Sequence, residues 1–202
     1  MIPVVPQPEP HEFDKRVRQP GKAFLAAYPS GAKLRKYWRA AASDLHGAYK
    51  GICAYTCMYF VPADTTVDHF LPQALYPDLA YEWSNYRLAI SRVNNHKDKS
   101  TDVIDPFFVK EGWFVIDFPS CIIRSAPDLP PILTERIKKT LEVLKLNTDD
   151  HFVQGRCDMM IEFLDGQLPF DFLSRRFPFL ATEIHRQGGK DTLGAIFKRR
   201  HN

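Results

Sequence analysis

The sequence predicts an α+β protein. Apolar residues before residue 50 recur at three- and four-residue steps, as on helices. The middle third holds short β-branched and aromatic runs cut by Pro, Asn, Asp and Gly, as in short strands and turns. Beyond Pro131 the helical spacing returns in three runs.

Taken in order, residues 1–12 are Pro-rich and read as extended chain. Over 22–49, Phe24, Leu25, Leu34, Tyr37, Trp38, Leu45 and Tyr49 give a helical pattern, which Pro29-Ser30-Gly31 divides into two helices. Residues 51–60 (GICAYTCMYF) read as a buried strand or a knuckle. Residues 67–70 form a short strand that stops before Pro72, and 73–84 form a loop with a turn at Pro77-Asp78. A second strand follows at 86–90, and Ser91 caps a helix over 92–97. Residues 107–109 and 113–118 flank Lys110-Glu111-Gly112 as a hairpin, to which 121–124 adds a strand. Pro127, Pro130 and Pro131 mark a linker before helices over 134–146, 149–164 and 170–186. Asp149 or Asp150 caps the middle one, and Asp165-Gly166 closes it. The organisation is thus an N-terminal arm with helices (1–50), a central core with its hairpin (51–126) and a helical region (127–202), packed as one compact unit.

The 202 residues suffice for a sizeable core, and 45% apolar with 25% charged residues excludes disorder. A formal net charge of +3 does not announce nucleic-acid binding, though it leaves room for a local basic face. No stretch nears the roughly twenty apolar residues of a membrane span. The opening MIPVVPQPEPHEF has no basic n-region and is broken by four prolines, so it does not read as a signal peptide, and a cytoplasmic location is expected. The four cysteines then read as thiols or metal ligands before disulfides.

One stretch, TVDHFLPQALYPDLAYEWSNYRLAISRVNNHKDKS (residues 66–100), gathers polar residues of a kind that the rest of the chain does not. Phosphodiester cleavage needs a base near neutral pH, a divalent cation and a grip on the phosphate. A neutral histidine serves as the base, and magnesium takes oxygen ligands, usually one or two from the protein. Asp68-His69 puts a carboxylate and an imidazole at a strand end. Asn85 stands just before the second strand, where its amide can bond the loop backbone or the imidazole. Asn94 falls in the first turn of the next helix as a candidate oxygen ligand, and Lys97, three residues on, shares its face and can reach phosphate.

This arrangement resembles the HNH endonuclease family, with its ββα-metal core. The likeness covers residues 51–99 and rests on VDHFLPQ, on Asn85, on Asn94 nine positions later and on Lys97 three further. It implies that His69 is the general base, that Asp68 and Asn94 hold a single Mg²⁺ or Mn²⁺ and that Asn85 orients His69. Many members carry two Cys-x-x-Cys pairs for a structural zinc. Here Cys53 and Cys57 are spaced differently, and Ile90 and Val93 stand where the second pair would fall, so no structural zinc is expected. The Pro-rich start, ICAY, YEWSNYRLA and the Asp105-Pro106 turn are similar to bacterial HNH proteins found beside SMC-like ATPases in Septu-type anti-phage systems. That likeness implies an antiviral nuclease subunit with an ATPase partner. The aromatics of the C-terminal helical region offer a surface for such a partner or for a homo-oligomer.

Two other classes compete: a non-cleaving DNA-binding module and an adaptor that binds an ATPase. The full Asp68, His69, Asn85, Asn94 set argues against the first. The low net charge favours the second. Taken singly, His69 reads as a structural histidine, Asn85 as a turn cap and Lys97 as a surface charge. Asn94 competes with Asn95 and His96 for its position. The Lys198-Arg199-Arg200 tail offers a nucleic-acid contact, though terminal basic residues are often just solvated.

Overall fold

The computed structural model describes residues 1–28, 33–118 and 120–198, with 196–198 described for the backbone alone. The fold is α+β, with helices around two small antiparallel hairpins. The chain divides into two compact units. One comprises Met1–Val4, Tyr55–Tyr59 and Asp102–Asn202, and the other Val5–Ala54 and Phe60–Thr101.

In the second unit, a π-helical turn at Asp14–Arg18 runs into α1 (Gln19–Ala27), and a 3-10 turn at Tyr37–Ala41 runs into α2 (Ala42–Ala48). The strands are β1 (Thr65–His69) and β2 (Tyr86–Ile90), followed directly by α3 (Ser91–Lys97). β1 and β2 pair antiparallel with Asp68 opposite Arg87 and His69 opposite Tyr86. A two-stranded ribbon is marginal alone. Here α2 and α3 both pack on it, which explains why four of the five β2 residues are buried.

Residues 5–12 of the Pro-rich arm belong to this unit and are pinned within it. Gln7 accepts from Trp83 Nε1 at 2.8 Å and donates its backbone N–H to the Tyr49 hydroxyl at 3.1 Å. Arg18 joins Glu9, Asp14 and Glu82, and these carboxylates raise its already high pKa. Phe13, fully buried, meets Trp83 and Tyr86 edge-on. Gly21 is required by contact: a Cβ there would sit 2.1 Å from Cγ of Tyr81.

In the first unit, β3 (Phe114–Asp117) pairs with β4 (Ile122–Ser125). The helices are α4 (Pro131–Val143), α5 (Asp150–Leu164), α6 (Phe170–Arg176), α7 (Pro178–Arg186) and α8 (Gly189–Lys198). α7 is tied to β3 by buried Glu183, whose carboxylate accepts from Ile116 N at 2.8 Å. Arg156 on α5 is buried and donates to the Cys121 and Leu146 carbonyls, and burial lowers its pKa to about 10.

Several expectations need correction. Residues 107–109 form no strand: Pro106–Phe108 is a 3-10 turn, with the Asp105 side chain accepting from Phe107 N. A turn does exist at 110–113, with Gly112 at φ +77°, but β3 beyond it pairs forward with β4. That pairing uses Cys121 at φ +56°, a left-handed position no sequence rule assigns to cysteine. Of the strand or knuckle expected at 51–60, no strand forms: the stretch is turns, with Gly51 and Cys57 both at positive φ. The 170–186 run is two helices, because Pro178 bars Phe177 from helical geometry. Ser91 starts α3 but makes no capping hydrogen bond. Asp149 does cap α5, accepting from His151 N. Pro29, Ser30 and Gly31, and Arg199 and Arg200 of the basic tail, lie outside the described residues.

Candidate active site

Asp68 and His69 end β1, Asn85 stands in a 3-10 turn just before β2, and Asn94 and Lys97 lie on α3. His69 ends β1 and is 7% exposed. Its ring stands edge-on to Trp38 at 4.8 Å and to Tyr86, its cross-strand neighbour, at 5.2 Å. Its Nε2 lies 2.8 Å from the Ala80 carbonyl oxygen, which also accepts from the Tyr86 hydroxyl at 2.9 Å. A carbonyl can only accept, so Nε2 carries the proton and Nδ1 keeps its lone pair. Burial holds the His69 pKa below the ordinary 6.5, against a smaller opposing pull from the Ala80 hydrogen bond.

Asp68, on the other face of the strand end, is 2% exposed. Its Oδ1 lies 3.0 Å from Lys97 Nζ, and the same ammonium donates to the His69 carbonyl at 2.9 Å. Lys97 is therefore fully buried and does not line the cleft described below. This departs from the phosphate contact expected of it. The reason is that the last turn of α3 lies against β1, which covers the lysine head.

Asn85 does not touch the His69 ring. Its Oδ1 accepts from Leu71 N at 2.8 Å, and its Nδ2 donates to the Leu71 and Leu79 carbonyls at 3.0 and 3.1 Å. It clamps the 71–79 loop and so places the next carbonyl, that of Ala80, under His69. Asn85→Ala is expected to lower stability by about 2–4 kcal/mol, since three partly buried bonds are lost together. Urea unfolding checks this, and an unchanged midpoint would contradict it.

Asn94 donates from Nδ2 to Thr66 Oγ1 at 3.0 Å, which leaves its amide oxygen as the group to offer a ligand. Asp68, His69 and Asn94 line one cleft of about 740 Å³ with Trp38, Thr65 and Gln73. Lys36, Arg39 and Lys99 also line it, beside the acids Asp68 and Asp98. Buried Thr65 Oγ1 and Gln73 Oε1 have no hydrogen-bond partner.

The donor set fits a hard cation: one carboxylate and one amide oxygen on a polar cleft, with room for water and phosphate oxygens. Among the described residues no three His, Cys, Asp or Glu converge as a metal-ligand group, and an ion held by Asp68 and Asn94 needs none. All four cysteines are free thiols. Cys53, Cys57 and Cys121 are buried and Cys157 is half-buried. Val93 is fully buried and Ile90 half-buried.

Sequence reasoning missed the Ala80 carbonyl, the Tyr86 hydroxyl, Trp38 and the basic lining of the cleft. Only Tyr86 had a usable signal, its place opposite His69 in a hairpin. No family model and no curated protein matches the chain. No helix among the described residues is long and apolar enough to cross a membrane.

Proposed function

We propose that the chain is a metal-dependent HNH-type endonuclease that hydrolyses phosphodiester bonds in DNA. The observation that carries the reading is His69. It is held neutral by burial and fixed through Nε2, so that Nδ1 remains as a base on a cleft shared with Asp68 and Asn94. The antiparallel pair followed at once by a helix is the order expected of a ββα-metal core.

In this reading His69 Nδ1 takes the proton of the attacking water as its oxygen bonds phosphorus, the bond from phosphorus to the leaving oxygen breaks, and that oxygen takes a proton from solvent water. Ala80 and Tyr86 hold the ring, and Asn85 holds the loop that carries Ala80. Asp68 and Asn94 would hold Mg²⁺ or Mn²⁺, which would supply neutralisation of charge on the phosphate and leaving oxygen. Lys97 holds Asp68 in position, while Lys36, Arg39 and Lys99 line the cleft where the phosphate chain would lie. The SMC-like ATPase partner and the antiviral role rest on the resemblance of the sequence alone.

The test is to titrate Mg²⁺ and Mn²⁺ into chelator-treated protein with supercoiled plasmid. Nicked product should rise with the ion. Tight plasmid binding with no product at any ion concentration would favour the non-cleaving module instead.

The acid limb of kcat/KM should fall below pH 6.5, because His69 loses its proton at a lower pH than free imidazole. Stability follows the same group. Below 6.5 the unfolded chain takes a proton that buried His69 resists, so stability declines as pH falls from 6.5 toward the lower folded value. A limb above 6.5 would contradict the assignment.

A further inference from the structure

A second cavity of about 550 Å³ adjoins the cleft, and Lys36, Trp38, Gln73 and Ala74 line both. We propose that it binds an unstacked nucleobase of single-stranded nucleic acid whose neighbouring phosphate lies in the cleft, a proposal that rests on the nuclease reading above. The volume is within the roughly 300–1,000 Å³ of ligand pockets.

The chemistry of the walls fits a base. Trp38 lines the cavity while its ring meets His69 at 4.8 Å, so one indole joins the two sites. Tyr28, at the end of α1, is 55% exposed, with its ring against Phe24 at a 4.9 Å centroid separation. An exposed aromatic held by a neighbour is a stacking platform that gives up little freedom on binding. Leu34 and Pro77 supply apolar contact. Gln73 lines the cavity, and a side-chain amide carries both a donor and an acceptor for the polar edge of a base. Lys33 and Lys36 face a single acid, Asp78, which suits a ligand on an anionic chain.

Stacking accepts any base, so the cavity gives a preference for unpaired strands without sequence specificity. A base inside a duplex could enter only by leaving its stack.

The experiment measures fluorescence anisotropy in chelator, so nothing is cut. It compares a labelled single-stranded deoxythymidine oligonucleotide with an abasic strand of equal length and charge. The wild type should bind the base-bearing strand about tenfold or more tightly, the order of one lost stack. Tyr28→Ala and Gln73→Leu should each shrink that preference, with Tyr28→Ala leaving affinity for the abasic strand unchanged. Equal affinity for both strands, or a preference that survives both substitutions, would overturn the cavity assignment and leave the nuclease reading standing. Binding of neither strand would overturn both.

Discussion

His69→Ala is expected to slow DNA hydrolysis by about 100- to 10,000-fold, the range for loss of a positioned general base. The magnitude follows from how much of the surroundings serves this one ring. Its Nε2 proton is committed to the Ala80 carbonyl, its faces are set by Trp38 and Tyr86, and its pKa is pushed down by burial, so it stays a neutral base. Asn85→Ala should copy part of this loss by loosening the Leu79–Ala80 backbone while leaving the imidazole in place. Its loss should be smaller than that of His69→Ala. Initial rates at saturating metal separate the two, and a larger loss in Asn85→Ala would contradict the assigned order.

Lys97→Met is expected to destabilise the protein by about 3–5 kcal/mol, the usual result of removing one member of a buried ion pair. For a chain of this size that lowers the thermal midpoint on the order of 10 °C. Both side chains are almost wholly buried, at 0% and 2% exposure, so solvent cannot compensate. The His69 carbonyl would also lose a donor. Asp68→Leu combined with Lys97→Met should recover much of the stability, since an apolar pair of similar volume often replaces a buried ion pair without cost. It should recover no activity, because the carboxylate is gone. A Lys97→Met protein that melts with the wild type would instead favour an exposed lysine that contacts phosphate.

The β1–β2–α3 element was legible because its signals are local. Tyr86–Ile90 is a short strand apolar at all but Arg87, Pro72 follows the end of β1, and Ser91 starts the helix at once. The face shared by Asn94 and Lys97 was also read from spacing, and both do reach β1, at Thr66 and Asp68. What spacing could not show was depth. Whether a lysine on that face meets solvent depends on how closely α3 lies on the strand, which is a tertiary property. The strands expected at 113–118 and 121–124 form and pair as β3 and β4, but the strand expected at 107–109 does not, for a related reason. Gly112 gave the stronger turn signal, whereas the pairing runs through Cys121, whose left-handed backbone is held by its surroundings rather than by its residue type. The Ala80 carbonyl was invisible because a backbone oxygen has no identity in the sequence.

The role proposed for His69 is that of base in hydrolysis, beside a cation that Asp68 and Asn94 would hold. It is tested most directly by the time course of supercoiled-plasmid nicking in Mn²⁺, with wild type and His69→Ala prepared side by side. The account predicts nicked circles from the wild type and almost none from His69→Ala over the same interval. Equal nicking by the two proteins would contradict it.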